Sequence, residues 1–271
     1  MGELFVVATP IGNLEDISLR ALRILKEVDL IAAEDTRHTL KLLNYYEISK
    51  PMISYHRHNE EIKSEVLINK LVEGKNIALV SDAGTPGISD PGEVIIKECI
   101  DRGIKVISIP GACAMINALI CSGVDTKEFC FIGFLPLNKK NRKEKLEYIE
   151  KENKTIIMYE APHKLKTTIA DLVKILGERH IVLARELTKI HEEYIRGTAS
   201  DIMQKMDVLK GEFVIIIEGC EIEEENNELA LLSLEEHYKY YEKQGMNKKD
   251  IIKKIAKDKN VNKNEIYKEF L

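Results

Sequence analysis

The feature of this sequence that most restricts its fold is a regular alternation of short apolar runs with helical stretches over the first 125 of its 271 residues. The apolar runs, which are rich in residues that favour strands, are 4–8, 30–34, 77–82 and 106–110. The segments between them have helical periodicity, and we expect their buried faces to carry Leu19, Leu22 and Leu25 in one helix and Ile62, Val66 and Leu67 in another. Strands that alternate with helices are typical of an α/β domain with a mainly parallel sheet. We predict such a domain for residues 1–125.

A second α/β domain is predicted for residues 126–221. Four further β-rich runs follow the segment CFIGFLP, namely TIIMYE, IVLARELT, EEYIRGT and FVIIIEG. The runs within 181–198 follow one another too closely for an intervening helix, which favours antiparallel pairing. The second sheet should therefore be mixed.

The last fifty residues have a different composition. Residues 222–232 are polar and acidic and are predicted to form a linker. In 233–271, three pairs show a capping residue followed three positions later by an acid, as at a helix start: Ser233 with Glu236, Asn247 with Asp250, and Asn262 with Glu265. We predict a small bundle of three helices, a basic module that resembles a helix-turn-helix. A purely structural appendage is the alternative.

Charge is distributed unevenly along the chain. The formal net charge of -5 argues against nucleic acid as a partner, but ten lysines against five acids lie between Tyr238 and Leu271. A second basic cluster contains Lys139, Lys140 and Arg142. These are the two places where a phosphate backbone would bind, and solvated helix faces are the alternative interpretation.

Other sequence features limit the location and the chemistry of the protein. No apolar run approaches the length needed to span a bilayer, so we expect a cytoplasmic protein without membrane contact. The five cysteines include no C-x-x-C pair, which argues against a metal site and a disulfide framework. We expect them to be reduced and mostly buried.

Three segments rich in glycine and proline directly follow predicted strands. They are TPIGN at 9–13, DAGTPGISDPG at 82–92 and PGACA at 110–114. Ligands of open α/β sheets bind at the carboxyl ends of the strands, so these loops should line one cleft. Glycine lets a ligand approach the backbone closely, and the helix after each loop directs free amides toward it. Neither the G-x-G-x-x-G fingerprint nor a phosphate-binding P-loop is present.

A longer set of motifs resembles one known family. They are VATPIGNLEDIS (7–18), AEDTR (33–37), SYHRHNE (54–60), LVSDAGTPGISDPG (79–92), IPGACAMINAL (109–119), FIGFLP (131–136), YEAPHKL (159–165), ARELTKIHEEYIRG (184–197) and GEFVIIIEG (211–219). Together they resemble the 16S ribosomal RNA 2′-O-ribose methyltransferases of the tetrapyrrole-methylase superfamily. The resemblance implies the two-domain tetrapyrrole-methylase fold, a homodimer, S-adenosyl-L-methionine in a cleft between the domains, and a cytidine ribose (position 1402) of 16S ribosomal RNA as the acceptor.

The resemblance also implies which residues hold the cofactor, largely through their backbone. They are Pro10, Asp82, Ala83, Gly84, Thr85, Ile88, Gly111, Ala112, Met158, Tyr159, Ala184 and Gly211. This sequence departs from the family pattern at Ala112-Cys113-Ala114, where relatives commonly carry a serine. Without a serine hydroxyl at this place, the contact with the cofactor would depend on the backbone alone.

Methyl transfer to a ribose hydroxyl needs a group that accepts the proton. We expect Glu34, Asp35 and Asn59 to form the catalytic set, and His56, Glu60 and Glu160 are further candidates. The alternative for Glu34 and Asp35 is a helix cap paired with Arg37. Residues expected to bind the RNA are Arg37, His56, Arg57, Lys139, Lys140 and Arg142.

Two further expectations concern side-chain geometry. His56 and His58 alternate, so they should point to opposite sides of an extended segment and should not share a metal. Arg185 and Glu186 are expected to form a structural ion pair.

Two other functions are compatible with the residues. One is a methylase of the same fold that acts on a tetrapyrrole, another small molecule or a protein side chain. The other is a non-catalytic RNA-binding adaptor that retains a pocket for the cofactor. The basic carboxyl-terminal helices favour RNA over the small molecule.

Overall fold

The computed structural model describes residues 1–206, 211–221, 229, 232–259 and 261–270. The chain forms two compact units, Met1–Cys220 and Glu221–Leu271, which are described separately below. Most of the predicted linker, 222–228 and 230–231, lies outside the described residues. The division of the first unit into domains at residue 125 stays a prediction.

The amino-terminal sheet of the first unit has five strands, and all its pairs are parallel. The strands are β1 (Leu4–Val7), β2 (Leu30–Ala33), β3 (Met52–Ser54), β4 (Ile77–Val80) and β5 (Val106–Ile109). Their order in the sheet is β3-β2-β4-β1-β5, so β2 and β4 are neighbours. The predicted parallel sheet is confirmed. The carboxyl ends of all its strands therefore lie at the same edge of the sheet.

Helices cover both faces of this sheet. They are α1 (Leu19–Glu27), α2 (Thr36–Tyr45), α3 (Glu60–Val72) and α4 (Glu93–Asp101). Helices α1 and α2 share one apolar cluster with the sheet, whereas α3 and α4 share the other. The predicted helix faces were partly wrong, since Leu19 is 86% and Ile62 73% exposed. The buried positions of α3 are instead Ser64, Leu67, Ile68 and Leu71.

The second sheet is mixed, as predicted. Its strands are β6 (Phe129–Phe134), β7 (Thr155–Glu160), β8 (His180–Arg185), β9 (Glu193–Thr198) and β10 (Phe213–Ile217), in the order β6-β7-β10-β8-β9. Only the β6–β7 pair among these is parallel. One face packs against α6 (Lys139–Lys151), α7 (Pro162–Leu176) and α8 (Ala199–Met203). The other face packs against α5 (Ala114–Ile120), the helix that follows β5.

The described residues from 232 onward in the second unit form the three predicted helices: α9 (Leu234–Glu242), α10 (Lys248–Asp258) and α11 (Lys263–Glu269). Ser233 and Glu236 form the predicted capping box at the start of α9. Ile251, Ile255 and Ile266 are buried in the core of the unit. Next to them, the imidazole of buried His237 lies 2.9 Å from the Asp258 carboxylate.

The five cysteines differ in their exposure. All five cysteines are free, but only Cys99 is buried and Cys121 is exposed, so the expected burial was wrong. Among the described residues, no helix has both the length and the apolar character that crossing a membrane requires.

Candidate active site

A cavity of about 390 Å³ opens where the strand-end loops of the first sheet face the second sheet. It is lined by Ile11, Ala83, Gly84, Thr85, Ile88, Ser89, Asp90, Cys113, Ala114, Phe134, Tyr159, Glu160, Ala161, Pro162, Ala184, Leu187, Glu212, Phe213 and Val214. All three loops singled out from the sequence contribute to this list. The volume is typical of a pocket for a small ligand.

The loops are tied to one another by main-chain and side-chain hydrogen bonds. The Thr9 amide donates to the Gly84 carbonyl at 2.8 Å, and the Gly84 amide donates to the Thr9 carbonyl at 3.0 Å. The Thr85 hydroxyl donates to the Ala112 carbonyl at 3.2 Å. Gly84 has a φ of +79°, which a residue with a Cβ adopts only at a cost. The cleft edge is therefore a fixed backbone surface.

Half of the residues expected to hold the cofactor line this cavity. They are Ala83, Gly84, Thr85, Ile88, Tyr159 and Ala184. The ring of Tyr159 packs edge-on against Phe131 and Phe134, at centroid distances of 4.9 and 5.8 Å. Burial raises the pKa of Tyr159 to about 12, so its hydroxyl stays protonated at neutral pH.

The other six expected cofactor residues have different surroundings. Pro10 and Asp82 line a neighbouring cavity of about 270 Å³, and the Met158 side chain lies in the core on the far face of the second sheet. A Cβ on Gly111 would lie 2.9 Å from that of Ala8, so this glycine serves close packing on β1. The Ala112 carbonyl accepts the Thr85 hydroxyl, and Gly211 lies against the side chain of Glu186.

Asp90, after β4, lines the cavity, and two other carboxylates lie near it: Glu34 at the end of β2 and Asp82 at the start of the same loop. The Asp82 amide donates to Glu34 Oε2 at 3.3 Å. Burial raises the pKa of Glu34 by more than the hydrogen bond from the Asp82 amide lowers it. Burial also raises the pKa of Asp90 to about 6, and the charge of Glu34 adds to the rise. These carboxyls repel one another and lie near an aromatic wall.

The expected catalytic residues Asp35 and Asn59 have local structural partners. Asp35 caps α2 by accepting the Arg37 amide at 2.8 Å, and its other oxygen lies 2.7 Å from the Arg37 guanidinium. Hydrogen bonds from the Arg37 side chain and backbone hold the pKa of Asp35 far below its usual range. Asn59 accepts the His56 amide at 2.8 Å and donates to the Ser54 carbonyl at 3.3 Å.

The expectation that His56 and His58 point apart was wrong. Residues 57–59 form a turn, in which the Asn59 amide donates to the His56 carbonyl at 2.8 Å. The turn brings the two rings to a centroid distance of 6.0 Å. Arg57 extends from the same turn and donates to the Ser89 carbonyl of the loop that carries Asp90.

The basic side chains of α6 divide into two groups. Lys139 and Lys140 are exposed, as a role in phosphate binding requires. Arg142, in contrast, points inward: its Nε lies 2.9 Å from Asp171 and its Nη2 donates to the Thr168 hydroxyl at 3.0 Å. The expectation that Arg142 is an exposed RNA ligand was therefore wrong, because α7 supplies partners that the sequence of α6 does not show.

Glu160 belongs to the same internal network. Its carboxylate accepts the buried Thr168 hydroxyl at 2.5 Å and the Ala161 amide at 2.8 Å. The network connects Arg142 on α6 with the cavity wall. Glu160 was one of the further candidates for proton acceptance, and the family resemblance had also pointed to the Gly211–Glu212 region, whereas Asp90 and Phe134 were missed. Asp90 lies inside the 79–92 motif, which was the available signal for it.

The ion pair expected between Arg185 and Glu186 was also wrong. Arg185 pairs with Glu193 at 3.2 Å across the antiparallel β8–β9 ladder, and Glu186 pairs with Lys189 at 3.2 Å. Lys189 also reaches Glu212 at 3.0 Å, on the rim of the cavity. Among the described residues, no three His, Cys, Asp or Glu side chains are placed to hold a metal ion.

Comparison with known proteins agrees with this geometry. A model of the tetrapyrrole (corrin/porphyrin) methylases matches residues 3–203. The chain is 50% identical to "Ribosomal RNA small subunit methyltransferase I" of Bacillus subtilis, over 98% of this chain and 93% of that protein. The chain belongs to the ribosomal RNA small subunit methyltransferase I family of tetrapyrrole methylases. A Thermotoga maritima member of this family is 45% identical and is matched over its full length by 82% of this chain.

Solved structures of more distant methyltransferases show the same fold. The methyltransferase CobJ superposes with a TM-score of 0.62 at 16% identity, over 81% of this chain and 95% of that chain. Uroporphyrin-III C-methyl transferase from Thermus thermophilus, solved with S-adenyl homocysteine, gives 0.57 at 14% identity, over 80% and 97%. The fold class and the family resemblance expected from the sequence are confirmed.

Proposed function

We propose that this methyltransferase moves a methyl group from S-adenosyl-L-methionine to the ribose 2′-oxygen of a cytidine, position 1402, in 16S ribosomal RNA. The observation that carries the proposal is the cavity of about 390 Å³ at the strand-end loops. The residues that line it belong to the motifs that resemble this methyltransferase family, and a relative 50% identical to this chain is named for the small ribosomal subunit. Ribosomal RNA in the cytoplasm is thus the proposed partner.

The residues of the cavity fit this cofactor. Bound S-adenosyl-L-methionine supplies an electrophilic methyl group on a positively charged sulfonium. Apolar side chains such as Ile11, Ile88 and Val214 line the cavity and can contact an adenosine. Glu160 and Glu212 are the lining carboxylates on the second-sheet side and suit the positive charge. Peptide groups of 83, 85 and 112 are proposed to supply hydrogen bonds to the cofactor, since the amide and carbonyl of Gly84 already bond to Thr9. The proposed roles of Pro10, Asp82, Gly111, Met158 and Gly211 are limited to shaping these loops.

The acceptor nucleotide is proposed to enter at the mouth, beside Glu34. Arg57 and His56 stand there on one turn, and Arg37 lies on α2 with 89% of its side chain exposed. A flexible RNA segment presents its phosphates to such cations. Asp35 and Asn59 are proposed to hold this region in place through their bonds to Arg37 and His56. Positioning of the acceptor supplies much of the catalysis in such a transfer.

The proposed RNA surface also includes exposed lysines in two other places. One group is Lys139 and Lys140 on α6. The other is the second unit, where the exposed lysines are 239, 243, 248, 249, 253, 254, 263 and 268. Each phosphate contact contributes to affinity and to its dependence on salt.

The proposed activity is tested with labelled S-adenosyl-L-methionine and small ribosomal subunits that lack the modification. We expect label in 16S RNA, and digestion to nucleosides followed by mass spectrometry should yield 2′-O-methylcytidine. Label on a base would replace the ribose assignment. Absence of label with intact cofactor binding, measured by calorimetry, would favour the adaptor.

Deletion of 226–271 tests the role of the second unit. We expect RNA affinity to fall and the salt dependence of binding to become shallower, because phosphate contacts are lost. Cofactor affinity should stay within about twofold, since every residue that lines the cavity precedes 215. Unchanged RNA affinity would make the second unit a structural appendage.

We further propose a homodimer. Large apolar side chains at Ile120, Phe134 and Leu137 are 51–76% exposed in the single chain. Packing of these side chains against a second copy of the chain would remove their apolar surface from water. Sedimentation equilibrium that yields the mass of one chain would contradict this.

A further inference from the structure

A second cavity, of about 270 Å³, shares a wall with the cavity proposed to hold the cofactor. Pro10 after β1 and Asp82 after β4 line this second cavity. The residue that follows each of them, Ile11 or Ala83, lines the larger cavity instead. The two loops lie side by side because β1 pairs with β4. A ligand in the second cavity would therefore be separated from the cofactor by the thickness of these loops.

One face of α2 forms the opposite side of the second cavity. Four of its residues line the cavity at the i, i+3, i+4 and i+7 spacing of a single helix face: His38, Lys41, Leu42 and Tyr45. Tyr45 is 62% exposed, and Lys41 is exposed beside it. Within the described part of the chain, the Lys41 side chain has no salt bridge or hydrogen bond. The rim therefore presents an aromatic ring and an available cation.

The inner wall of the second cavity is apolar and is fixed by the fold. Leu14, in the short 3₁₀ turn Leu14–Asp16, lines the cavity together with Pro10 and Leu42. The Tyr46 hydroxyl donates to the Leu14 carbonyl and so fastens this turn to the end of α2. The spacing between turn and helix is thus set by the protein, and their apolar side chains suit an aromatic ring.

Thr39 adds a polar group without a partner to this wall. It lines the cavity and is 3% exposed, and its hydroxyl has no hydrogen-bond partner among the described residues. The other buried hydroxyls of the wall are satisfied, since Thr9 donates to the Ser81 carbonyl and Ser81 to the Ala83 carbonyl, both at 3.3 Å. Buried hydroxyls are rarely left unpaired in native proteins. A ligand with hydrogen-bonding groups at its edge would supply the missing partner.

A single RNA base matches these groups. A base has two apolar faces that stack on aromatic rings and an edge of donors and acceptors, and its strand carries a phosphate on either side. The cavity volume of about 270 Å³ is slightly below the range of about 300–1,000 Å³ that is usual for drug-sized ligands, so the cavity suits one base better than a larger molecule. Lys41 at the rim is placed to contact a phosphate of the same strand.

We infer that the second cavity binds the base of a nucleotide next to the methylated cytidine, with Tyr45 stacked on the base, the Thr39 hydroxyl at its edge and Lys41 on the phosphate. The inference rests on the proposed function. The acceptor ribose would lie in the larger cavity, and the loops of the shared wall would stand between the two nucleotides. A base held in this way has left its stack, so the site selects an unpaired RNA segment.

The test is the Kd of the full chain for small ribosomal subunits that lack the modification, measured by co-sedimentation with saturating S-adenosylhomocysteine. We expect Tyr45→Ala to raise this Kd by roughly 5–100-fold, because a stacking ring is lost. Tyr45→Phe keeps the ring and should recover most of the lost affinity. Cofactor affinity, measured by calorimetry, should stay within about twofold, since Tyr45 does not line the larger cavity.

Salt dependence separates the phosphate contact from the base contact. Lys41→Gln should raise the Kd and reduce the slope of log Kd against log salt by about one phosphate contact, whereas Tyr45→Ala should leave that slope unchanged. The matched control is Lys26→Gln. Lys26 is an exposed lysine in the last turn of α1, just before β2 starts, so it lies at the opposite edge of the sheet. Its substitution removes the same charge and should change the Kd by less than about twofold.

Thr39→Val separates a ligand contact from a structural role. Valine keeps the shape of the side chain and removes a hydroxyl that has no partner in the fold, so Tm should stay unchanged or rise. The Kd for subunits should nevertheless increase by about 3–10-fold, because the bound base loses a hydrogen bond. A fall in Tm together with an unchanged Kd would make this hydroxyl structural and would overturn its assignment.

The outcomes distinguish this inference from the proposed function. If Tyr45→Ala and Thr39→Val bind subunits as tightly as the unsubstituted protein, the second cavity holds no base and the inference fails. A loss confined to Lys41→Gln would show a phosphate contact alone and would overturn the inference as well. If the unsubstituted protein neither binds nor labels the subunits, the proposed function fails.

Discussion

The loops that follow β2 and β4 start at neighbouring strand ends of one sheet, and each contains an aspartate with a different environment. In the loop after β2, Asp35 caps a helix and pairs with Arg37, which holds its pKa far below the usual range. In the loop after β4, Asp90 forms no ion pair with any described residue, and burial raises its pKa to about 6. The comparison shows that the partner and the degree of burial, and not the residue type or the strand end, decide what a carboxyl can do.

The two loops also differ in backbone conformation. The loop after β2 leads into α2 within two residues, without a left-handed position. The loop after β4 needs four of them, at Gly84, Gly87, Ser89 and Gly92, before α4 begins. Length and unusual backbone allow this loop to bend over the cavity. The short loop instead serves to start a helix.

The largest expected effect comes from changing the backbone of the longer loop. In Gly92→Ala, the residue would keep a φ of +146° and its Cβ would lie 3.1 Å from Leu79 and 3.2 Å from the Gly87 nitrogen. We expect a loss of about 3 kcal/mol in the free energy of unfolding, measured in urea. Gly87→Ala is the control, because Gly87 also has a positive φ, of +82°, but its Cβ would meet only Ile96 Cδ1 at 3.7 Å, an ordinary contact; it should cost about 1 kcal/mol. Equal losses would show that crowding at Gly92 is unimportant.

The next effect concerns the connection between the two loops. Asp82 accepts the Asp35 amide at 3.1 Å, so Asp82→Ala leaves that part-buried amide without its acceptor. We expect a loss of about 1–2 kcal/mol in urea unfolding and weaker protection of the Asp35 amide in hydrogen exchange. Asp82→Asn retains a carbonyl oxygen and should recover most of both. A deficit in Asp82→Asn as large as that in Asp82→Ala would mean that charge, and not the hydrogen bond, matters.

The smallest effect is expected at the exposed pair. Arg37→Met removes the strongest influence on the pKa of Asp35, which should rise toward its ordinary value in a carbon-13 NMR titration. It should stay somewhat below that value because the amides of 37 and 38 still donate. A depressed pKa stabilises the fold above the unfolded pKa, near 4, and this contribution disappears as the pH falls through the folded value. The change in Tm at pH 7 should thus be about 1 °C, since the pair is solvated.

The sequence by itself determined the features that depend on residues close together in the chain. Apolar runs separated by helical segments predicted the parallel sheet, and Ser233 with Glu236 predicted the start of α9. The glycine-rich strand ends predicted the cleft, because parallel strands bring their carboxyl ends to one edge. The family motifs then supplied the cofactor and the substrate for the proposed function.

Only the tertiary structure decided which polar groups meet. Arg142 points inward because Asp171 lies on another helix, 29 residues along the chain. The environment of Asp90 is set by Glu34 and Arg57, which precede it by more than thirty positions. Burial and charge act through space, so no local pattern predicts them. The sequence therefore located the edge of the sheet where the cavity lies, and the packing of distant segments determined which polar groups meet there.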